Sequence, residues 1–110
     1  MTRTTFTMNC SRNDVVLLPI PFTDLTSRKV RPAIVIGHAG ADLFLVPISS
    51  VLANTDFLLS GWQLTGLNVP SGVKAQLATV EAGLVLKVVG QLVPKDVCTL
   101  NERLRSWLKL

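Results

Sequence analysis

The chain has one histidine, His38, and seven carboxylates, Asp14, Asp24, Asp42, Asp56, Glu81, Asp96 and Glu102, spread without clustering over 110 residues. A ribonuclease that divides acid and base work between two histidines is therefore impossible within one subunit. A metal-dependent nuclease needs several carboxylates able to converge, and this scatter supplies no such set, so neither a metal nor any other cofactor is expected. There is no nucleophile elbow and no phosphate-binding Walker loop. Among the cations and hydroxyls that remain, residue type alone singles out no catalytic set. A guanidinium binds two phosphate oxygens at once in a fixed fork and stays protonated, so it stabilises developing charge rather than abstracting protons. A serine hydroxyl can orient a phosphate or a nucleophile by hydrogen bonding.

The overall balance agrees with an anionic partner. Lys and Arg number 11 against 7 Asp and Glu, a formal charge of +4, with an isoelectric point near 9.6. That is modest beside proteins that grip many phosphates, so charge alone does not establish nucleic acid as the partner. A hydrophobic fraction of 48% excludes a disordered chain and predicts one buried core in a single domain. So apolar a small domain also has little polar surface, which predicts a homodimer hiding one apolar face. Cys10 and Cys98 are far apart, without a CxxC pair or a histidine cluster, so neither a disulfide framework nor a zinc site is expected and a reduced, cytoplasmic setting fits. The N-terminus lacks the apolar core of a signal peptide, and Pro or Gly breaks each apolar run before membrane-spanning length.

The elements that must position these residues follow from pattern. Residues 1–11 show no periodicity and read as a flexible lead-in, with the domain spanning 12–110. Residues 14–18 form a short aliphatic strand, and a long basic loop separates it from a second strand at 32–37. A turn at 38–42 and a third strand at 43–48 complete a meander. Residues 56–64 hold a weaker strand signal, residues 66–72 read as loop, and 73–80 and 84–92 read as two further strands. The last segment changes period: Val97, Leu100, Leu104, Trp107 and Leu108 recur at spacings of three and four behind Pro94, the pattern of an amphipathic helix. The expected fold is mainly β with one helix: five to six strands in a bent antiparallel sheet or SH3-like barrel, then the helix.

The stretch from Asp14 through Pro19-Ile20-Pro21-Phe22-Thr23-Asp24-Leu25, followed by Arg31-Pro32-Ala33-Ile34-Val35-Ile36, resembles the opening signature of the PemK/MazF toxin family, GDVVLVPFPFTDL and then RPALVL. The likeness continues through Val46-Pro47-Ile48-Ser49-Ser50, Trp62, Gly66-Leu67, Pro70-Ser71-Gly72-Val73-Lys74, Leu77-Ala78-Thr79 and Gly90-Gln91-Leu92. It implies a bent, barrel-like sheet with a terminal helix, and the toxin half of a type II toxin–antitoxin pair. The implied activity is metal-independent cleavage of single-stranded RNA by ribose 2′-OH attack, giving a 2′,3′-cyclic phosphate and a 5′-OH. By the same resemblance Arg31 and Ser49 are the catalytic residues, and a cognate antitoxin is the protein partner. Arg28, Lys29 and Lys74 are candidates for RNA phosphates, with Thr23 and Ser50 beside them, and Phe22 could stack on a splayed base. The family glycine before the first strand is Asn13 here, a residue that tolerates left-handed backbone. The carboxylate that some members carry ahead of the RP arginine is absent, leaving Asp24 nearby.

By residue type alone, Arg31 is a solvated strand-edge arginine and Ser49 a turn-capping hydroxyl; the resemblance raises both to site residues. His38 reads as a turn residue, Trp62 and Trp107 as core or interface, and Asp14 as a structural hydrogen-bond acceptor. A second function class stays open, a non-catalytic module of the same fold that binds antitoxin or nucleic acid.

Overall fold

The computed structural model describes residues 10–19 and 29–110. Seven strands and one α-helix are found there: β1 (Asp14–Pro19), β2 (Val30–Ala39), β3 (Asp42–Ser49), β4 (Phe57–Leu58), β5 (Gly72–Val73), β6 (Ala78–Glu81), β7 (Lys87–Gln91) and α1 (Pro94–Leu108). The sheet runs β4-β5-β3-β2-β1-β7, with β6 on β3, and every pairing is antiparallel. Among the described residues nothing joins β4 to β7, so the architecture is an open bent sheet rather than a closed barrel.

Strand β1 is aliphatic along its length because both faces are covered. Val15 points into one apolar cluster with Ile34, Val46, Phe57, Leu100 and Leu104. Val16 and Leu18 point into the other, with Ala33, Val35, Leu43, Leu45 and Val85. The first cluster lies beneath α1, whose Leu100 and Leu104, with Val97 and Trp107 packed beside them, supply the three- and four-residue spacing seen in the sequence. Burying each of these leucines contributes about 2 kcal/mol.

The β2–β3 hairpin is tighter than expected. Ala39 pairs with Asp42, leaving Gly40 and Ala41 as a two-residue turn, and Gly40 has φ 59, the positive angle such turns require at their first central position. His38 therefore lies in the strand, paired with Leu43, not in the turn. Register shifts between Val35 and Gly37 on β2, and between Val15 and Val16 on β1, are the bulges that bend the sheet.

The largest departure from the expected strands falls at residues 73–80. They split into β5 and β6, both borne on the same edge of β3: Asp42–Leu45 pairs with β6, and Ile48–Ser49 with β5. The changeover falls at Pro47, whose carbonyl accepts the Lys74 N–H at 3.0 Å but which has no N–H to return. The ladder breaks there, and Gln76 N–H turns back onto the Lys74 carbonyl at 2.8 Å. The expected strand at 84–92 is likewise trimmed to Lys87–Gln91, because residues 82–84 form a single 3-10 turn.

Two side chains fix the ends of this framework. Asn13 adopts φ 75, the left-handed conformation that glycine takes most readily and asparagine tolerates. From it the backbone donates to Val35 O at 2.7 Å and accepts from Leu92 N–H at 3.0 Å, while its buried Oδ1 finds no partner among the described residues. Asp96, 2% exposed in the first turn of α1, accepts Ser60 N–H (3.0 Å) and Ser60 O–H (2.8 Å) on Oδ1, and Gly61 N–H (3.0 Å) on Oδ2. Its charge also suits the positive end of the helix dipole.

Two stability measurements follow. Asn13→Gly removes both the left-handed strain and the unpaired oxygen, so urea denaturation should show a gain of about 0.5–1 kcal/mol. Asp96→Ala strands the Ser60 and Gly61 donors, and the same titration should show a loss of roughly 3 kcal/mol.

Candidate functional site

Arg31 stands on β2 opposite Leu18 of β1. On its other side the β2–β3 pairing ends at Ala33 and Pro47; Arg31 and Ser49 lie two residues beyond that pair on their two strands, so continuation of the register would set them across from each other. By strand alternation both belong to the face of Ala33 and Pro47. That face is the one bearing Ala33, Val35 and Leu45, turned away from α1. Arg31 is exposed and Ser49 half-buried. Ser49 Oγ accepts the Val51 N–H at 3.0 Å, which fixes the oxygen and leaves its proton to donate outward.

Beyond Ser49 the row continues to Gly72 of β5 and then Leu58 of β4. A Cβ on Gly72 would lie 2.5 Å from Thr55 Oγ1 and 2.8 Å from the Phe57 carbonyl, so only glycine admits this close approach. In the sequence Gly72 closes a loop-like stretch, and nothing local marks it as a point of close approach.

Lys74 stands opposite Pro47, one step along on the same face. With strands about 4.8 Å apart and alternate residues about 7 Å apart, its Cα is roughly 12 Å from that of Arg31, within joint reach of two long cationic side chains. Lys74 also borders a shallow cleft of about 350 Å³ with Asn54, Thr55, Asp56 and Gln76. Lys29 is exposed just ahead of β2. Ser50, by strand alternation, belongs to the opposite face, where it lines a small pocket with Pro32 and Leu17. Phe22, Thr23 and Arg28, together with Asp24, lie outside the described residues.

Among the described residues the single ion pair joins Arg103 to Asp56 at 3.3 Å, with the Arg103 guanidinium also 6.0 Å from the Phe57 ring centre. Arg31 and Lys29 are exposed and Lys74 half-buried, and none of them is paired with a described carboxylate, a field that favours an anionic ligand. The carboxylate nearest in register is Asp56, already engaged by Arg103. Asp14 has both oxygens in structural use, accepting Ser11 N–H at 2.8 Å and Gln91 Nε2 at 3.0 Å. His38 is seven residues from Arg31 along β2, about 23 Å, too far to serve the same phosphate. Among the described residues no three His, Cys, Asp or Glu side chains converge.

A model of the PemK-like, MazF-like toxins of type II toxin–antitoxin systems matches residues 11–108. The chain belongs to this family. Among solved structures, this PemK/MazF-like chain resembles the Mycobacterium tuberculosis toxin MazF-mt6, with a TM-score of 0.69 and 16% identity over 88% of this chain and 97% of that one. At that identity the likeness concerns the fold. No curated protein sequence is a match. No helix among the described residues is long and apolar enough to cross a membrane.

Neither cysteine belongs to the PemK/MazF-like site. Burial, and secondarily the negative charge of Asp14, push the Cys10 thiol above its ordinary value, whereas Cys98 is exposed on α1. Since the thiolate is the reactive form, iodoacetamide at pH 7.5 should alkylate Cys98 well before Cys10, as read by mass spectrometry of tryptic peptides. Cys10 should catch up only as the pH is raised.

Proposed function

We propose that this chain is the toxin of a type II toxin–antitoxin pair and a metal-independent endoribonuclease acting on single-stranded RNA. The observation that supports the reading is that Arg31 and Ser49 end two adjacent strands on one face, each two residues beyond the Ala33–Pro47 pair, in a chain of the PemK/MazF-like family. In the reaction the ribose 2′-oxygen attacks the adjacent phosphorus and the P–O5′ bond breaks. The 2′-OH proton is given up, the departing 5′-oxygen gains one, and a 2′,3′-cyclic phosphate and a 5′-OH result. Arg31 binds two non-bridging oxygens as charge accumulates on them, and Ser49 donates a hydrogen bond that orients the phosphate. Lys29 and Lys74 hold flanking phosphates. Arg28, Phe22 and Thr23 belong to the RNA path on the strength of the family resemblance.

The exposed aliphatics Val30, Val51, Leu52 and Leu58 flank the Arg31–Ser49 row. They support a cognate antitoxin lying across this rim, and a homodimer covering further apolar surface, in the cytoplasm. One observation favours the second reading, a non-catalytic binding module: Asp56, the carboxylate nearest the site in register, is held by Arg103.

The two readings separate on a long single-stranded RNA incubated with the purified protein in EDTA. A ribonuclease leaves fragments ending in 2′,3′-cyclic phosphate, and Arg31→Ala should lower the rate by about 100- to 1,000-fold, the usual loss when one transition-state donor is removed. Absence of cleavage by the unsubstituted protein across varied sequence contexts would leave the binding module as the function.

A further inference from the structure

We infer that the pocket on the reverse face of the site is a nucleobase subsite in which Asn68 reads the base next to the scissile phosphate; this rests on the ribonuclease reading. The pocket has a volume of about 230 Å³, with an apolar floor of Leu17, Pro32, Leu67 and Val89 and a polar rim that includes Ser50 and Asn68. That is smaller than the roughly 300–1,000 Å³ of pockets for drug-sized ligands and suits one planar base. Its walls are joined to the catalytic candidates by single peptide bonds: Pro32 follows Arg31, and Ser50 follows Ser49. Strand alternation turns each pair to opposite faces. A phosphate held by Arg31 and Ser49 thus sits at the rim of the sheet, and a base beside it can turn over that rim into the pocket.

The pocket is preformed, because two glycines let its loop seat directly on β7. A Cβ on Gly66, itself at φ 86, would lie 2.3 Å from the Val89 carbonyl, and one on Gly90 would lie 2.5 Å from the Thr65 carbonyl. Thr65 is fully buried, with its hydroxyl donating to Trp62 O at 2.8 Å. Ser71, also buried, spends its hydroxyl on Val69 O at 2.9 Å. Asn68 is exposed on the pocket wall and, among the described residues, its amide makes no hydrogen bond. An amide offers a donor and an acceptor side by side, the pattern that pairs bidentately with a base edge, and an unstacked base between aliphatic walls is how single-stranded RNA is read.

The test is selection of a randomised RNA pool for binding by the unsubstituted protein and by Asn68→Asp, an isosteric change on an exposed loop that exchanges donor for acceptor. Cut sites in a long RNA are mapped in parallel. Preference at one position beside the scissile phosphate should change by roughly tenfold, the scale of a bidentate amide–base contact, while the preferences elsewhere and the Arg31 dependence of cleavage stay as they were. Identical preferences at every position for the two proteins would overturn the subsite, whether or not RNA is cut. Failure of the unsubstituted protein to cut overturns the ribonuclease reading instead, and the binding selection then decides the pocket by itself.

Discussion

A missing hydrogen-bond donor at Pro47 shapes most of what surrounds the site. Strand β3 must serve three neighbours, with β2 along one edge and β6 and then β5 along the other. An uninterrupted ladder would hold one long partner on that second edge and keep it flat. Because Pro47 accepts from Lys74 and gives nothing back, the partner strand is released, turns at residues 74–76, and re-engages only beside Ile48 and Ser49. The short β5 that results carries Gly72 next to Ser49 and Lys74 one step away. The break in the sheet and the gathering of a hydroxyl and a second cation beside Arg31 have the same cause.

The opposite side of the rim depends on close backbone approach rather than on strand pairing. Residues 62–71 form no long element of their own, yet Gly66 and Gly90 permit carbonyl contacts that any side chain would block, and Asp96 holds the start of the segment through Ser60 and Gly61. An irregular loop becomes a fixed wall because each of these contacts satisfies or accommodates a backbone group that would otherwise be stranded. Loops held in this way have the low conformational freedom that ligand recognition needs.

The parts of the fold legible from the sequence are those set by short-range pattern. The helix was readable because Leu100 and Leu104 must meet one apolar cluster, and β1 because both its faces are buried. The turn at Asn13 was legible only through the family resemblance, which puts a glycine there; Asn13 keeps the left-handed conformation, with φ 75. The division of residues 73–80 was not readable: Val73 and Val80 keep strand-like character on either side of the break, and the cause lies some thirty residues earlier, in a proline on another strand. The β2–β3 turn is shorter than its composition suggests for a related reason, since His38 and Ala39 are turn-like in type but are drafted into the ladder by Leu43 and Asp42. In the site, the facing of Arg31 and Ser49 follows once the hairpin register is known, but the register depends on a bulge near Ile36 that periodicity does not disclose. Asn68 gave no signal, because its position in the pocket depends on where two glycines let the loop settle.

Alternation along β2 and β3 gives this small sheet two chemistries at one edge. On the face away from α1, the strand ends carry Arg31 and Ser49, charged and hydrogen-bonding. One residue on, the reverse face carries Pro32 and Ser50 at the lip of an apolar pocket. A duplex could not engage both, since its bases are stacked inside and its phosphates outside; a single strand can, because each nucleotide turns about its own backbone. On the proposed ribonuclease reading, a rim that sets a phosphate site and a base-sized pocket one peptide bond apart on two adjacent strands would select for single-stranded nucleic acid by geometry, before any base is read. The modest charge of +4 is consistent with that division of labour: binding that shares its energy between a few phosphates and a buried base needs fewer cations than binding by the backbone alone.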